Sequence, residues 1–166
     1  AKTALANEKK HLDELLAAAE ATKKAAEEEA EAQAAANKFK ADYESVLSET
    51  VATVDLADKD AVNKAIEDYS KLSERAKEIE KTDYEHLVEL QKELNRLENE
   101  IADFKKLNSL ILSKTVEDVK SSDLDLINGV LAEYDKLSSK AKTALANEKK
   151  HLDELLAAAE AKKKAE

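Results

Sequence analysis

The chain has 166 residues, of which 39% are charged, 43% are hydrophobic and only 4% are aromatic, and its formal net charge is −10 at pH 7. This negative charge argues against binding to nucleic acid or to anionic membranes, both of which need basic faces. The absence of cysteine excludes disulfides and thiolate chemistry, and no apolar run approaches the length of a bilayer span. With no proline and a single glycine, helices can continue for many turns, so the composition predicts an all-α protein.

Two internal repeats organise the chain. Residues 1–21 return without a substitution as residues 141–161, and a shift of 65 residues aligns 20 identical positions between 39–90 and 104–155. Such periods indicate a tandem array of one supersecondary unit. We therefore expect three parts: the last helix of a truncated preceding repeat with an Ala-rich helical linker (1–38), a first three-helix module (39–98) and a second one (99–166).

The first predicted helix runs from Asn7 to Leu47 through the Ala-rich linker. This junction is ten residues longer than the junction between the two modules, because Leu12 to Phe39 spans 27 residues whereas Leu87 to Phe104 spans 17. Ten helical residues add roughly 15 Å of length. The insertion is expected to change the spacing of modules without breaking the helix.

A shorter helix is predicted from Asp58 to Leu72, and its repeat from Asp123 to Leu137. Acidic residues at their starts favour the positive end of the helix dipole, and Ser122 with Asp125 predicts an N-terminal cap. Segments 49–57 and 114–121 are expected to be crossing loops, and segments 73–81 and 138–146 short helical turns.

The second long helix is predicted to start at Thr82, which forms a capping-box pattern with Glu85, and to continue to Ser113. The corresponding start at Asn147 opens the C-terminal helix. Apolar residues with alternating spacings of three and four predict packing in a left-handed bundle. They are Leu87, Leu90, Leu94, Leu97, Ile101 and Phe104. These elements predict tandem three-helix bundles joined by long continuous shared helices, an elongated spectrin-like rod.

The pattern Tyr-x-Lys-Leu-Ser-x-x-Ala-Lys occurs at 69–77 and at 134–142, each time after an acidic helix start. It resembles the FIVAR-type modules of Gram-positive cell-wall-associated surface proteins, three-helix repeats that build the rods of giant staphylococcal adhesins. The resemblance covers roughly residues 40–166, whereas the charged Ala-rich junction departs from the family pattern. It implies an extracellular surface stalk that is anchored to the cell wall through parts of a longer protein.

Three histidines, His11, His86 and His151, occupy one equivalent repeat position and are the candidates for a metal site. None has a second His or Cys at ligand spacing, so a solvated helix position is the favoured interpretation. The acidic run at 27–31 is interpreted as a solvated face that pairs with Lys23 and Lys24. The sequence predicts no catalytic, cofactor-binding or metal site, and no residue supports an enzyme.

Tyr69 and Tyr134 could mark a binding surface, but a ring packed on the core with its hydroxyl on a backbone group is the favoured interpretation. Asn108 interrupts the apolar stripe and could set the register between helices or face a gap between bundles. Gly129 is alone inside a predicted helix, so it does not indicate a phosphate-binding loop.

Two functions remain open. The favoured one is a structural spacer that projects other domains, whose partners are the adjacent repeats of the same chain. The alternative is a module that binds a host matrix or serum protein, although no exposed Arg or aromatic cluster of the hot-spot kind is visible. Four leucines near the N-terminus are expected to lack bundle partners, to be exposed and to allow weak self-association. They are Leu5, Leu12, Leu15 and Leu16.

Overall fold

In the computed structural model, backbone is described for residues 2–166 and side chains from Leu5 onward. All secondary structure in this part of the chain is helical. The prediction of an all-α protein is therefore confirmed. The helices are α1 Lys2–Asp42, α2 Glu44–Leu47, α3 Lys59–Ser70, α4 Glu74–Ile79, α5 Lys81–Leu107, α6 Ser109–Leu112, α7 Leu124–Tyr134, α8 Ser139–Ala144 and α9 Ala146–Ala165. Short 3-10 turns at Leu56–Asp58 and Ser121–Asp123 precede α3 and α7.

The chain divides into two compact units. The first comprises the residues up to 52 together with 60–90, and the second comprises 53–59 together with 91–166. In the first unit α1 packs against α4, and Arg75 Nε lies 2.5 Å from Glu29 Oε2 across this contact. In the second unit α9 packs against α6, α7, α8 and the turn before α7.

Each long predicted helix contains a one-residue break. Tyr43 (φ −118°, ψ 17°) separates α1 from α2, and Asn108 (φ −103°, ψ 13°) separates α5 from α6. The predictions of unbroken helices from Asn7 to Leu47 and from Thr82 to Ser113 are therefore wrong at these positions. The two breaks are 65 residues apart, so they are a shared feature of the repeat.

The side chain at each break hydrogen-bonds to a residue of α3 or α7. The Tyr43 hydroxyl donates to the Asp68 carboxylate, and Asn108 Nδ2 donates to Glu133 Oε2 at 3.0 Å. Asn108 Nδ2 also donates to the Phe104 carbonyl oxygen at 3.0 Å, which accepts the Asn108 backbone amide at 3.1 Å as well. Asn108 is buried, which agrees with a role in fixing how α5 and α7 meet.

The predicted start at Asn7 is wrong, because Asn7 lies inside α1, whereas the predicted starts at Thr82 and Asn147 are one residue after the first residues of α5 and α9. The capping role of Thr82 is wrong, since Thr82 lies within α5. At the start of α5 the Tyr84 amide donates to the Glu80 carbonyl at 3.0 Å. The backbone thus passes from α4 to α5 through one kinked residue, Glu80 (φ −94°, ψ 13°).

The short helices lie close to their predicted positions. The predicted cap by Ser122 and Asp125 is wrong, since the Asp123 carboxylate accepts from the Lys120 amide at 2.8 Å. The predicted short helical turns are confirmed as α4 and α8. Their N-caps, Ser73 and Ser138, each accept from the amide three residues later at 3.3 Å.

The predicted apolar stripe of α5 is confirmed, with Leu87, Leu90, Leu94 and Leu97 no more than 1% exposed. In the second unit the core is one continuous cluster drawn from α5 to α9. Its buried members are Phe104, Ile111, Val119, Ile127, Val130, Tyr134, Leu145, Leu152, Leu155 and Ala159.

The N-terminal part of α1 has a different environment, although its sequence is identical to that of α9. Side chains from Leu5 to Glu31 are exposed, and the first buried one is Ala32. The predicted exposure of the N-terminal leucines is confirmed at 71% for Leu5, 64% for Leu12, 53% for Leu15 and 59% for Leu16. The equivalent Leu145, Leu152 and Leu155 are 0% exposed.

This difference supplies a matched test of packing. Leu152→Ala should lower the free energy of unfolding of the second unit by about 2–5 kcal/mol, because it leaves a cavity in the core. Leu12→Ala changes the same residue in the same local sequence and should stay within about 0.5 kcal/mol of the parent. Urea unfolding, with amide hydrogen exchange to follow the second unit, measures both. Equal effects of the two substitutions would contradict the assignment of the buried face.

Candidate functional site

The repeated tyrosines have structural contacts. The hydroxyl of Tyr69 donates to the Lys77 carbonyl and that of Tyr134 to the Lys142 carbonyl, both at 2.9 Å. Each ring also meets a phenylalanine edge to face, and both pairs have 6.1 Å between ring centroids and 67° between ring planes. The favoured prediction, a ring on the core and a hydroxyl on the backbone, is confirmed.

The equivalent histidines are not equivalent in environment. His86 Nε2 donates to the Glu49 carbonyl at 2.8 Å, and His151 Nε2 donates to the Lys114 carbonyl at 3.0 Å. Both rings are half-buried and bind the loops that follow α2 and α6, whereas His11 is exposed. The prediction of a solvated position is thus right for His11 and wrong for the other two.

The acidic run at 27–31 forms ion pairs on the surface. The first two glutamates pair with the lysines one turn earlier: Lys23–Glu27 at 3.8 Å and Lys24–Glu28 at 3.7 Å. Glu29 pairs with Arg75. In the described part of the chain, no group of three or more His, Asp or Glu side chains is arranged to hold a metal ion.

A carboxylate pair at the α4–α5 kink was not predicted from the sequence. Glu80 is 3% exposed although it is charged in its ordinary state, and Lys40 Nζ lies 3.1 Å from Asp83 Oδ2 and 3.9 Å from Glu80 Oε2. Burial chiefly, and the neighbouring Asp83 in addition, raise the pKa of Glu80 while Lys40 lowers it, and the net pKa is about 6. The Asp83 carboxylate, as the anion of this ion pair, raises the pKa of Lys40.

The second repeat shows which part of this cluster is general. Lys105 Nζ lies 2.5 Å from Glu148 Oε1, and this ion pair occupies the repeat positions of Lys40 and Asp83. The repeat position of Glu80 is taken by Leu145, which is 0% exposed. The buried carboxylate is therefore a departure of the first repeat from an apolar position. Nothing in the local sequence signals it, and only the alignment with Leu145 could have revealed it.

A shallow groove lies beside His151 and is lined by Lys105, Ser109, Leu112 and Glu148 among others. Among the described residues that line this groove, Lys105 and Glu148 form the only ion pair. The polar side chains of this groove thus serve the packing of α9. Among the described residues, no helix combines the length and the apolar character that a bilayer crossing requires.

Comparisons with protein-family models, with curated proteins and with solved structures found no match to this chain.

The Glu80 carboxyl predicts a pH dependence. Its pKa is about 6 in the folded chain, whereas the ordinary pKa of 4.5 applies to the unfolded chain. Between pH 4.5 and 6 the folded chain therefore binds more protons than the unfolded chain. This group therefore lowers stability as the pH rises from about 4.5 to 6, by up to about 2 kcal/mol. Glu80→Gln removes the charge and should raise the free energy of unfolding by about 1–2 kcal/mol at pH 7.5, and by much less at pH 4. Urea unfolding at both pH values measures the difference.

The control is Glu85→Gln in α5, five residues after Glu80, where the side chain is exposed. It should change stability by less than about 0.5 kcal/mol at either pH. A Glu80→Gln protein that is no more stable than the parent at pH 7.5 would show that the buried carboxylate is not destabilising.

Proposed function

We propose that this chain is a structural spacer from a bacterial cell-surface protein, made of tandem three-helix modules that share their long helices and together form a rod. In this proposal it carries out no reaction and serves to hold other domains at a distance from the cell wall. The resemblance of 69–77 and 134–142 to FIVAR-type modules supports the surface location.

The observation that carries the proposal is the repetition of the same polar contacts at a 65-residue interval. Three contacts recur with partners at equivalent repeat positions. They are those of the tyrosine hydroxyl at 69 and 134, of the histidine ring at 86 and 151, and of the serine caps of α4 and α8. Repetition of contacts, rather than of a pocket, is what a repeat architecture requires of its sequence.

The course of α5 is the second support. This helix runs from Lys81 to Leu107 and passes from one compact unit to the other between Leu90 and Gln91 without a glycine, a proline or a break. A helical passage resists bending, whereas a Gly- or Ser-rich linker does not. A spacer built in this way gains length with each added module.

The surface chemistry agrees with this proposal. The exposed face of the described helices carries many ion pairs between residues three or four positions apart, such as Arg96 with Glu93 at 2.8 Å and with Glu100 at 3.1 Å. Such pairs keep a helical surface soluble and support its local structure. They do not form a preorganised cleft of the kind that catalysis needs.

Spin labels test the helical passage. The chain has no cysteine, so Glu85→Cys with Lys106→Cys gives a single labelled pair at two exposed positions of α5. Twenty-one helical residues correspond to about 32 Å, and a stiff passage gives a narrow distance distribution. The same pair with Asn95→Pro is the control, since proline inside a helix kinks or breaks it. A broad distribution in the parent pair would refute a stiff junction.

Small-angle scattering tests the spacer itself. Insertion of one further 65-residue copy, residues 91–155, should increase the largest dimension of the particle by a constant amount for each copy added. A particle that stays compact as copies are added would refute the proposal while leaving the fold of each module intact.

A further inference from the structure

One sequence occurs in this chain in two environments. Residues 1–21 and 141–161 are identical, and the second copy is packed in the core whereas the first is exposed. The apolar face of α9 comprises Leu152, Leu155 and Ala159, and Leu145 at its N-cap continues this face; all four are 0% exposed. The packing of α9 therefore shows directly which kind of surface the identical face of α1 can bind.

The apolar part of that surface comes from α5, α6 and α7 and from the loop between α6 and α7. Its buried members are Phe104, Ile111, Val119, Ile127, Val130 and Tyr134. We refer to the segment Phe104–Tyr134 as the acceptor surface. Leu12, Leu15 and Ala19 of α1 have the same side chains at the same helical spacing as Leu152, Leu155 and Ala159 of α9, so this part of the α1 face matches the acceptor surface in shape.

The polar contacts match as well. Glu148 pairs with Lys105 at 2.5 Å, and His151 donates to the Lys114 carbonyl at 3.0 Å. The equivalent residues of α1 are Glu8 and His11, which are both exposed. One anion and one hydrogen-bond donor are thus placed beside the leucines of α1 as they are beside those of α9.

We propose that the face of α1 is a docking site for a second copy of this chain, whose acceptor surface binds it in place of that copy's own α9. The interface is heterologous, since α1 of one copy meets the acceptor surface of another, so it can extend into a chain of copies. This inference goes beyond a spacer role and does not depend on it.

The covalent tether determines when this exchange occurs. The resident α9 is part of the same chain as its acceptor surface, so its effective concentration is of the order of millimolar, and an incoming α1 makes only equivalent contacts. The exchange is therefore disfavoured in dilute solution while α9 is intact. It becomes favourable when α9 is prevented from docking.

The test uses two full-length proteins. The acceptor carries Leu152→Gln and Leu155→Gln, which prevent α9 from docking, together with Leu12→Gln and Leu15→Gln, which prevent it from acting as a donor to itself. It is isotopically labelled, and amide hydrogen exchange is followed at Ile127 and Val130. The donor is the unlabelled parent chain, and the control donor carries only Leu12→Gln and Leu15→Gln. These residues are 64% and 53% exposed, so the control donor should keep the fold of the parent.

We expect the acceptor alone to exchange rapidly, and the parent donor to slow exchange at Ile127 and Val130 saturably, by roughly tenfold or more. Sedimentation should then show a one-to-one complex. The control donor should give neither effect. The proposal is overturned if the acceptor stays unprotected at every concentration of the parent donor, or if both donors protect it equally.

Discussion

Burial of a leucine stripe against two neighbouring helical segments is the interaction on which the rest of this structure depends. A single amphipathic helix gains little from its own hydrogen bonds in water, so its stability in a protein comes mainly from the face that it buries. The identical segments at 6–16 and 146–156 separate these two contributions, because both are helical and only the second is packed. Local sequence thus specifies the helix, and the neighbouring segments specify whether it contributes to a core.

The polar contacts around this stripe show what the repeat must preserve. Where the residues are identical, as at Tyr69 and Tyr134, the same hydrogen bond recurs at the same length. At the helix breaks the residues differ, yet each side chain still forms a hydrogen bond to α3 or α7. Tyr43 bonds to Asp68, and Asn108 bonds to Glu133. A break at this point is therefore a property of the module, and a different side chain links each break to the helix that packs beside it.

Periodicity was enough to predict the helices, their buried faces and the contacts of Tyr69 and Tyr134, because these follow from spacing along one chain. The breaks at Tyr43 and Asn108 could not be located in this way, since neither residue is a helix breaker and each is held by a partner 25 residues away. The capping-box pattern at Thr82 was misleading for a related reason. The Glu80 carbonyl at the kink already accepts the Tyr84 amide, so a pattern that marks the start of an isolated helix lies inside a kinked one.

The exposed part of α1 shows how the module and its junction differ in what stabilises them. Between Leu5 and Glu31 the helix depends on alanine, on lysine and glutamate propensity and on exposed ion pairs such as Lys10–Glu14 at 3.7 Å, each contributing only about 0.3–0.5 kcal/mol. That composition can sustain a helix without a core. It also makes this stretch easier to unfold locally than α9. Any surface that covers the leucines of α1 therefore stabilises the helix as well as the contact, so docking and helical order are thermodynamically coupled in this segment.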